Sequence, residues 1–404
     1  IEDFDLVSAS ETVQWDITRV TRKWYTTGNN NGVMIRNHNE NANYKEYYSA
    51  DTGTPYTSAR PIVAITYINN NGLESYWNYH SQSVGRAGTG YVNDYNGNLV
   101  FTRTVASTSG SLPSVTVNLI YNSNDVLVDR GYGIGWRTNY DQTIIESTIG
   151  GVAFAAWTDE DGTVHYFERV GTSNVFKEEN NSGLTITKNS TTYVLSDKAE
   201  NTSTFTLVAG VGYLSSIANK RGQTILVTRD TSQKIVSIKD ATDRVTTFGY
   251  ANNHLSTVTD HYSKTTTLTY TNLTIGLSTY ATLTGIDDFD GVDSVYSYHS
   301  ASGYFASAQE ATGYKITYGY TTEKPYRVNT ITEKNGTVTR NTLSIEYGQN
   351  QTTYTDSYGS TLQEQFDFTG KLISLKDDQG NGQYFGYGDT LGNSDKLNTS
   401  SKLQ

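Results

Sequence analysis

Between residues 214 and 388 the chain repeats one short order of apolar and polar positions. In IVSIKDATDRVTTFGY (235–250), counted from Ile238, an acid stands two residues on (Asp240) and a turn former five on (Asp243). Aromatics follow at ten and twelve (Phe248 and Tyr250). The same offsets run from Val258 (Asp260, Ser263, Leu268, Tyr270) and from Ile286 (Asp288, Gly291, Tyr296, Tyr298). They recur from Ala308 (Glu310, Gly313, Tyr318, Tyr320), Tyr354 (Asp356, Gly359, Glu364, Phe366) and Leu375 (Asp377, Gly380, Phe385, Tyr387). From Ile217 the pattern is eroded (Asn219, Gly222, Val227, Arg229). From Ile331 it gives Glu333 and Gly336, and the aromatic then slips to Tyr347, as in a longer hairpin. Eight starts lie 20 to 28 residues apart.

Side chains alternate along a strand, so the residues at zero and two share one face, as do those at ten and twelve. Gly, Asp or Ser at the fifth position suits a chain reversal. The acid at the second position can accept hydrogen bonds from turn N–H groups. Each unit therefore predicts one β-hairpin, marginal alone and stable when stacked beside others over a shared row of aromatics.

Composition supports strands throughout. The 404 residues include 36 Gly, 32 Tyr, 4 Pro and one Met, with 35% hydrophobic residues. So few apolar residues suit sheets buried on one face. A net charge of −11 argues against nucleic-acid partners, which require excess Lys and Arg. With no cysteine, disulfides and thiolate chemistry are excluded. No apolar run reaches 18 residues, so no helical membrane span is expected. IEDFDLVSAS is not a signal peptide, and an export signal is expected upstream of it.

The repeats resemble the RHS, or YD, repeats of bacterial surface proteins. FDFTGKLISLKDDQGNGQYFGYG (366–388) carries the likeness best: Phe366-Asp367 for Tyr-Asp, Gly370-Lys371-Leu372 for Gly-Arg-Leu, and Asp377 with Gly380 at the second turn. Residues 86–140, including Asn96-Gly97-Asn98-Leu99 and GYGIGW, look like the region leading into such repeats. WDITRVTRKWYTTGNNNGVMIRN and TSARPIVAITY resemble the second half of a DNRLRE-type β-sandwich, with a short helix bearing Trp24, although the motif that names that family is absent. The resemblance implies an all-β fold: a partial sandwich (1–75), a β connecting region (76–213), a spiralling antiparallel hairpin array (214–388) and a polar tail (389–404). It also implies a shell-forming role, often around a toxin or effector cargo, here expected outside this chain. The tail lacks the family's Asp-Pro-x-Gly cleavage element, so neither autoproteolysis nor a toxin is expected within these residues.

Candidate chemistry is sparse. Tyr76-Trp77-Asn78-Tyr79-His80 alternates aromatics between faces, so Tyr76, Trp77 and Tyr79 are the candidates for ligand contact, such as a sugar ring. The plain expectation for Trp15, Trp24, Trp77, Trp136 and Trp157 is core packing. Asp159-Glu160-Asp161-Gly162 and Asp287-Asp288-Phe289-Asp290-Gly291 crowd acids before a glycine. Calcium at Asp159/Asp161 or Asp288/Asp290 stays open, but neither loop has a distal bidentate Glu, and Asp-Gly marks a hairpin turn. His38, His80, His165, His254, His261 and His299 show no metal-binding spacing. GYGIGW is no dinucleotide fingerprint, and no Gly-x-Ser-x-Gly elbow occurs. No cofactor and no enzyme activity are expected. The reading is a structural segment of a secreted, cell-surface bacterial protein, capable of self-assembly. An adhesion or carbohydrate-binding module using 1–75 against cell-wall polysaccharide is the alternative.

Overall fold

The computed structural model describes residues 72–386 except 111–112, 150, 179–182, 324 and 368; upstream it describes 15, 17, 20, 21, 24, 32–34 and 47–62. The chain forms two compact units: residues 1–68 with 323–325, and 69–322 with 326–404. In the first, Val20, Thr21 and Trp24 are helical, and a 3-10 turn covers Tyr56–Ala59. Of the sandwich expected across 1–75, the described residues, chiefly 32–34, 47–62 and 72–75, hold no strand; the rest of it, the tail and Tyr387 lie outside the described residues.

The second unit is all-β. Five strands form an antiparallel sheet in chain order: β1 (Tyr79–Ser83), β2 (Thr89–Asn93), β3 (Leu99–Ser107), β4 (Thr116–Asn122) and β5 (Trp136–Thr138). A second sheet meanders from β6 (Thr143–Ile149) to β28 (Gly382–Tyr384), each strand pairing with the next. Its closure lies at β13 (Val211–Ala218). The first half of β13 pairs with β6, Val211 opposite Ile145 and Tyr213 opposite Thr143, and the second half pairs with β14 (Thr224–Arg229). Strands β6 to β13 thus close an eight-stranded ring filled by Ile144, Phe167, Phe176, Ile186, Phe205 and Leu214. From β14 onward the meander continues as an open ribbon. Among the described residues no helix is long and apolar enough to cross a membrane.

The ribbon obeys the sequence period. All eight residues at the fifth position have positive φ, between +59° and +89°, including the non-glycines Asp243 and Ser263. Loops of this kind, a turn closed by a left-handed residue, join strands without splaying them. The acid at the second position builds the loop: Asp260 Oδ1 accepts the N–H groups of Tyr262 (2.8 Å) and Lys264 (2.9 Å). Asp356 and Asp377 repeat this, as does Asn219 with its amide oxygen. At Asp240, burial alone would raise the carboxyl. The N–H groups of Thr242 and Arg244, the Thr242 hydroxyl and the Arg244 guanidinium hold it far below the usual carboxylate range instead.

The aromatics depart from simple alternation. Phe248, Tyr296 and Tyr318 are buried as predicted. A β-bulge then falls between the eleventh and twelfth positions, at Gly249/Tyr250, Thr269/Tyr270, Ser297/Tyr298 and Gly319/Tyr320. The bulge re-aims the second tyrosine. Its hydroxyl donates to a carbonyl 15 residues back: Tyr250 to Ile235 (3.0 Å), Tyr270 to Leu255 (2.8 Å), Tyr298 to Leu283 (2.8 Å) and Tyr320 to Phe305 (3.1 Å). The slipped Tyr347 reaches Val328 in the same way, at 2.6 Å. These latches tie each hairpin to the preceding one. Tyr270→Phe, which removes one latch and keeps the ring, is expected to lower stability by about 1 kcal/mol, measured as a shift in the urea midpoint.

One face of the ribbon packs against the five-stranded sheet. Phe101, Tyr121 and Trp136 of that sheet meet Tyr296 and Phe305 of the ribbon, with ring centroids 4.8–6.0 Å apart across the contact. Polar bonds fix the same contact. Trp136 Nε1 donates to Tyr298 (2.7 Å), Tyr296 to the Ala87 carbonyl (2.8 Å), and Phe305 N–H to Tyr121 (3.0 Å). The contacts follow an order. Gly131 pairs with Leu255, Ile134 with Ala281, Gly97 with Val328, Asp94 with Tyr354 and Trp77 with Thr369. As the ribbon advances, its partner in the inner sheet steps back from the β5 side to the β1 side.

Candidate functional site

Two clusters of ionisable groups form where the inner sheet and its lead-in segment meet the meander. The first is built on the β7 (Val152–Thr158) to β8 (Val164–Arg169) hairpin. Its turn is the Asp159–Gly162 loop, and the register sets Trp157 opposite His165. Asp159 Oδ1 accepts the N–H groups of Asp161, Gly162 and Thr163 at 3.0–3.1 Å, which is the turn role expected of it. Its other oxygen, Oδ2, lies 3.1 Å from His165 Nε2. Glu74, from the segment before β1, brings Oε1 to 3.7 Å from the same nitrogen. Glu178 of β9 (Val175–Glu178) lies 3.2 Å from His165 Nδ1, and the imidazole stacks on Trp157 at 4.9 Å.

This setting shifts several groups. Burial pushes the Glu74 carboxyl up to about 7; His165 opposes the rise, while Asp159, Asp161 and Glu178 reinforce it. Burial disfavours charge on His165, but its bonds to Asp159 and Glu178 outweigh that and push the imidazole up to about 10. Asp161 is buried, with its carboxyl raised by that burial. Its oxygens accept from Thr163 and from the Leu73 N–H at 2.6 Å. Of the acids in this loop, Asp159 turns an oxygen to the imidazole and Asp161 secures the lead-in segment.

The second cluster joins Asp94, in the β2–β3 turn, to Glu364 of β26 (Thr361–Phe366). Both are buried. Tyr354 donates to Asp94 Oδ1 at 2.5 Å, and the His80 ring stacks on Tyr354 at 5.4 Å. Burial raises both carboxyls. The Glu364 carboxyl is raised further by facing Asp94, and its buried Oε2 has no hydrogen-bond partner among the described residues.

The sequence candidates for ligand contact fall elsewhere in these arrangements. Trp77 is 5% exposed, its Nε1 donating to the Thr369 carbonyl at 3.2 Å, and Tyr76 packs edge-on against it. Tyr79 donates to the Gly72 carbonyl (3.0 Å) and accepts from Glu74 N–H (2.6 Å). Asp288 and Asp290 face arginines: Arg103 Nη2 lies 2.6 Å from Asp288, and Arg86 Nη1 2.6 Å from Asp290. Histidine spacing alone passed over His165. The legible signal was the hairpin itself, since a turn at Asp159–Gly162 must return residue 165 alongside residue 157. Glu74 lies some 85 positions upstream and carries no local sign of the encounter.

Comparison with known proteins adds the following. Residues 89–167 match the profile of a domain of unknown function, DUF6531. That span runs from β2 into β8 and takes in Asp159 and His165. No curated protein matches the chain. Among solved structures, the TcdB2–TccC3–Cdc42 crystal structure matches 72% of this chain and 19% of its own, at 10% identity and a TM-score of 0.30. The Tc holotoxin pore of Photorhabdus luminescens matches 74% and 19%, at 10% identity and 0.29. The N-terminal domain of the effector SpvB of Salmonella typhimurium strain LT2 matches 70% of this chain and 98% of its own, at 10% identity and 0.17. The chain spans about a fifth of the first two.

Proposed function

We propose that this chain is a non-catalytic structural segment of a larger secreted, cell-surface bacterial protein of the RHS-repeat kind. In this reading the hairpin array is a wall, and any toxin or effector cargo lies outside these residues. One observation carries the reading: a face of the ribbon is occupied by the chain's own five-stranded sheet, packed through the Phe101–Trp136–Phe305 cluster. Polar residues that repeat along the array, the acids Asp240, Asp260, Asp356 and Asp377 and the tyrosines Tyr250, Tyr270, Tyr298 and Tyr320, are engaged in turns and latches. Groups consumed in this way hold backbone in place.

Limited proteolysis of the full chain is expected to leave one resistant fragment within about 72–386, cut together only when the whole unit opens. Three outcomes would overturn the reading. The first is early cleavage between hairpins. The second is saturable glycan-array binding that disappears when 1–75 is removed, the mark of an adhesion module. The third is polysaccharide turnover abolished by a single Asp or Glu change.

A further inference from the structure

We propose that Glu74, Asp159 and His165 bind one divalent transition-metal ion, with zinc the best match, and that Glu178 orients the imidazole from behind. This goes beyond the structural role and does not rest on it. The donors are one imidazole nitrogen and two carboxylate oxygens, a set that suits zinc and its neighbours. All three ligand atoms lie within 4.8 Å of one another. His165 Nε2 stands 3.1 Å from Asp159 Oδ2 and 3.7 Å from Glu74 Oε1. Atoms bound at about 2.1 Å to a tetrahedral ion stand roughly 3.4 Å apart, between those two values.

The imidazole is set for the task. Nδ1 faces Glu178 at 3.2 Å, and the ring lies nearly flat on Trp157, with 28° between the planes. A carboxylate behind a ligating histidine fixes the ring and strengthens the nitrogen that faces the metal. Charge points the same way. Among the described residues the side chains of Glu74 and Asp159 pair with no Lys or Arg, only with His165. A divalent ion would neutralise both carboxylates and leave the imidazole uncharged. Of the three ligands, Asp159 also lines a cavity of about 260 Å³, with Gln142, Trp157 and Asn201. Three protein ligands leave a fourth position for water. Calcium, which needs about six to eight oxygens, fits less well than zinc, and Asp161 of the same loop is already bonded to Thr163 and Leu73.

The full chain, stripped with chelator, is titrated in separate experiments with Zn2+ alone, Co2+ alone and Ca2+ alone. Expected results are one Zn2+ per chain by calorimetry, visible ligand-field absorption with Co2+, and a thermal midpoint that rises with Zn2+. Glu178→Gln is expected to weaken Zn2+ binding by about 10- to 100-fold, and His165→Gln to abolish the Co2+ spectrum. Glu74→Gln, which keeps the side-chain shape, carries the test if His165→Gln does not fold. Saturable binding absent from the parent chain, unchanged stoichiometry in Glu74→Gln, or Ca2+ binding as tight as Zn2+ would each overturn the assignment.

Discussion

Trp136→Ala is expected to lower stability by about 3–5 kcal/mol, the range for deleting a fully buried aromatic. Trp136 is 0% exposed and packs against Phe101, Tyr121, Tyr296 and Phe305, so its loss opens a cavity in the seam between inner sheet and ribbon. Two of those neighbours belong to the inner sheet and two to the ribbon, and neither layer can collapse into the gap without moving the other. The indole also donates to Tyr298, whose own hydroxyl latches Leu283. Trp136→Phe keeps most of the ring and loses that donor, for an expected cost nearer 1–2 kcal/mol. Chemical denaturation followed by tyrosine and tryptophan fluorescence separates the two variants. A cost below about 1 kcal/mol for the alanine variant would mean that the layers are held by something other than this cluster.

The second large effect is on pH. Both members of the buried Asp94–Glu364 pair have raised folded-state values, so the folded chain keeps a proton that the unfolded chain releases above about pH 4. A raised carboxyl therefore costs nothing below that pH, and stability is progressively lost as pH rises toward the folded values. Glu364→Gln supplies a donor that never ionises. It is expected to leave stability near pH 4 little changed and to flatten the decline of the thermal midpoint between about pH 5 and pH 8. The raised carboxyls of Glu74 and Asp161 remain, so a smaller slope persists. The same slope in parent and variant would show that Glu364 does not carry this pH dependence. Nearby, Tyr354 donates to Asp94, and Arg327 lies over the Tyr347 ring at 5.2 Å; neither changes in the variant.

The hairpins were legible in the sequence because their determinants are local. A turn former at the fifth position closes a loop whatever surrounds it, and all eight of these residues adopt the left-handed backbone the turn requires. Tyr347 was rightly placed as the displaced aromatic of a longer hairpin. The bulge before each second aromatic was not legible, since period-two alternation has no place for an extra residue and the latch carbonyl belongs to the previous hairpin. Nor was the ring closed by β13 and β6, which depends on three pairings between segments some 70 residues apart. The same limit separated Glu74 from His165 and Asp94 from Glu364. Each acid is unremarkable among 41 Asp and Glu until the fold brings its partner near. Asp161 illustrates the converse: in a loop read chiefly as a turn, with calcium left open, this carboxylate serves its own turn and a distant backbone.

The stepwise order of contact between inner sheet and ribbon has a kinetic consequence. Bonds at Trp136 and Tyr121 span 162 and 184 residues, while those at Asp94 and Trp77 span 260 and 292. Wide loops close late and slowly. A chain emerging from its amino end would thus present a finished spool first and wind later hairpins onto it from the near rim to the far one, fastening Trp77 last.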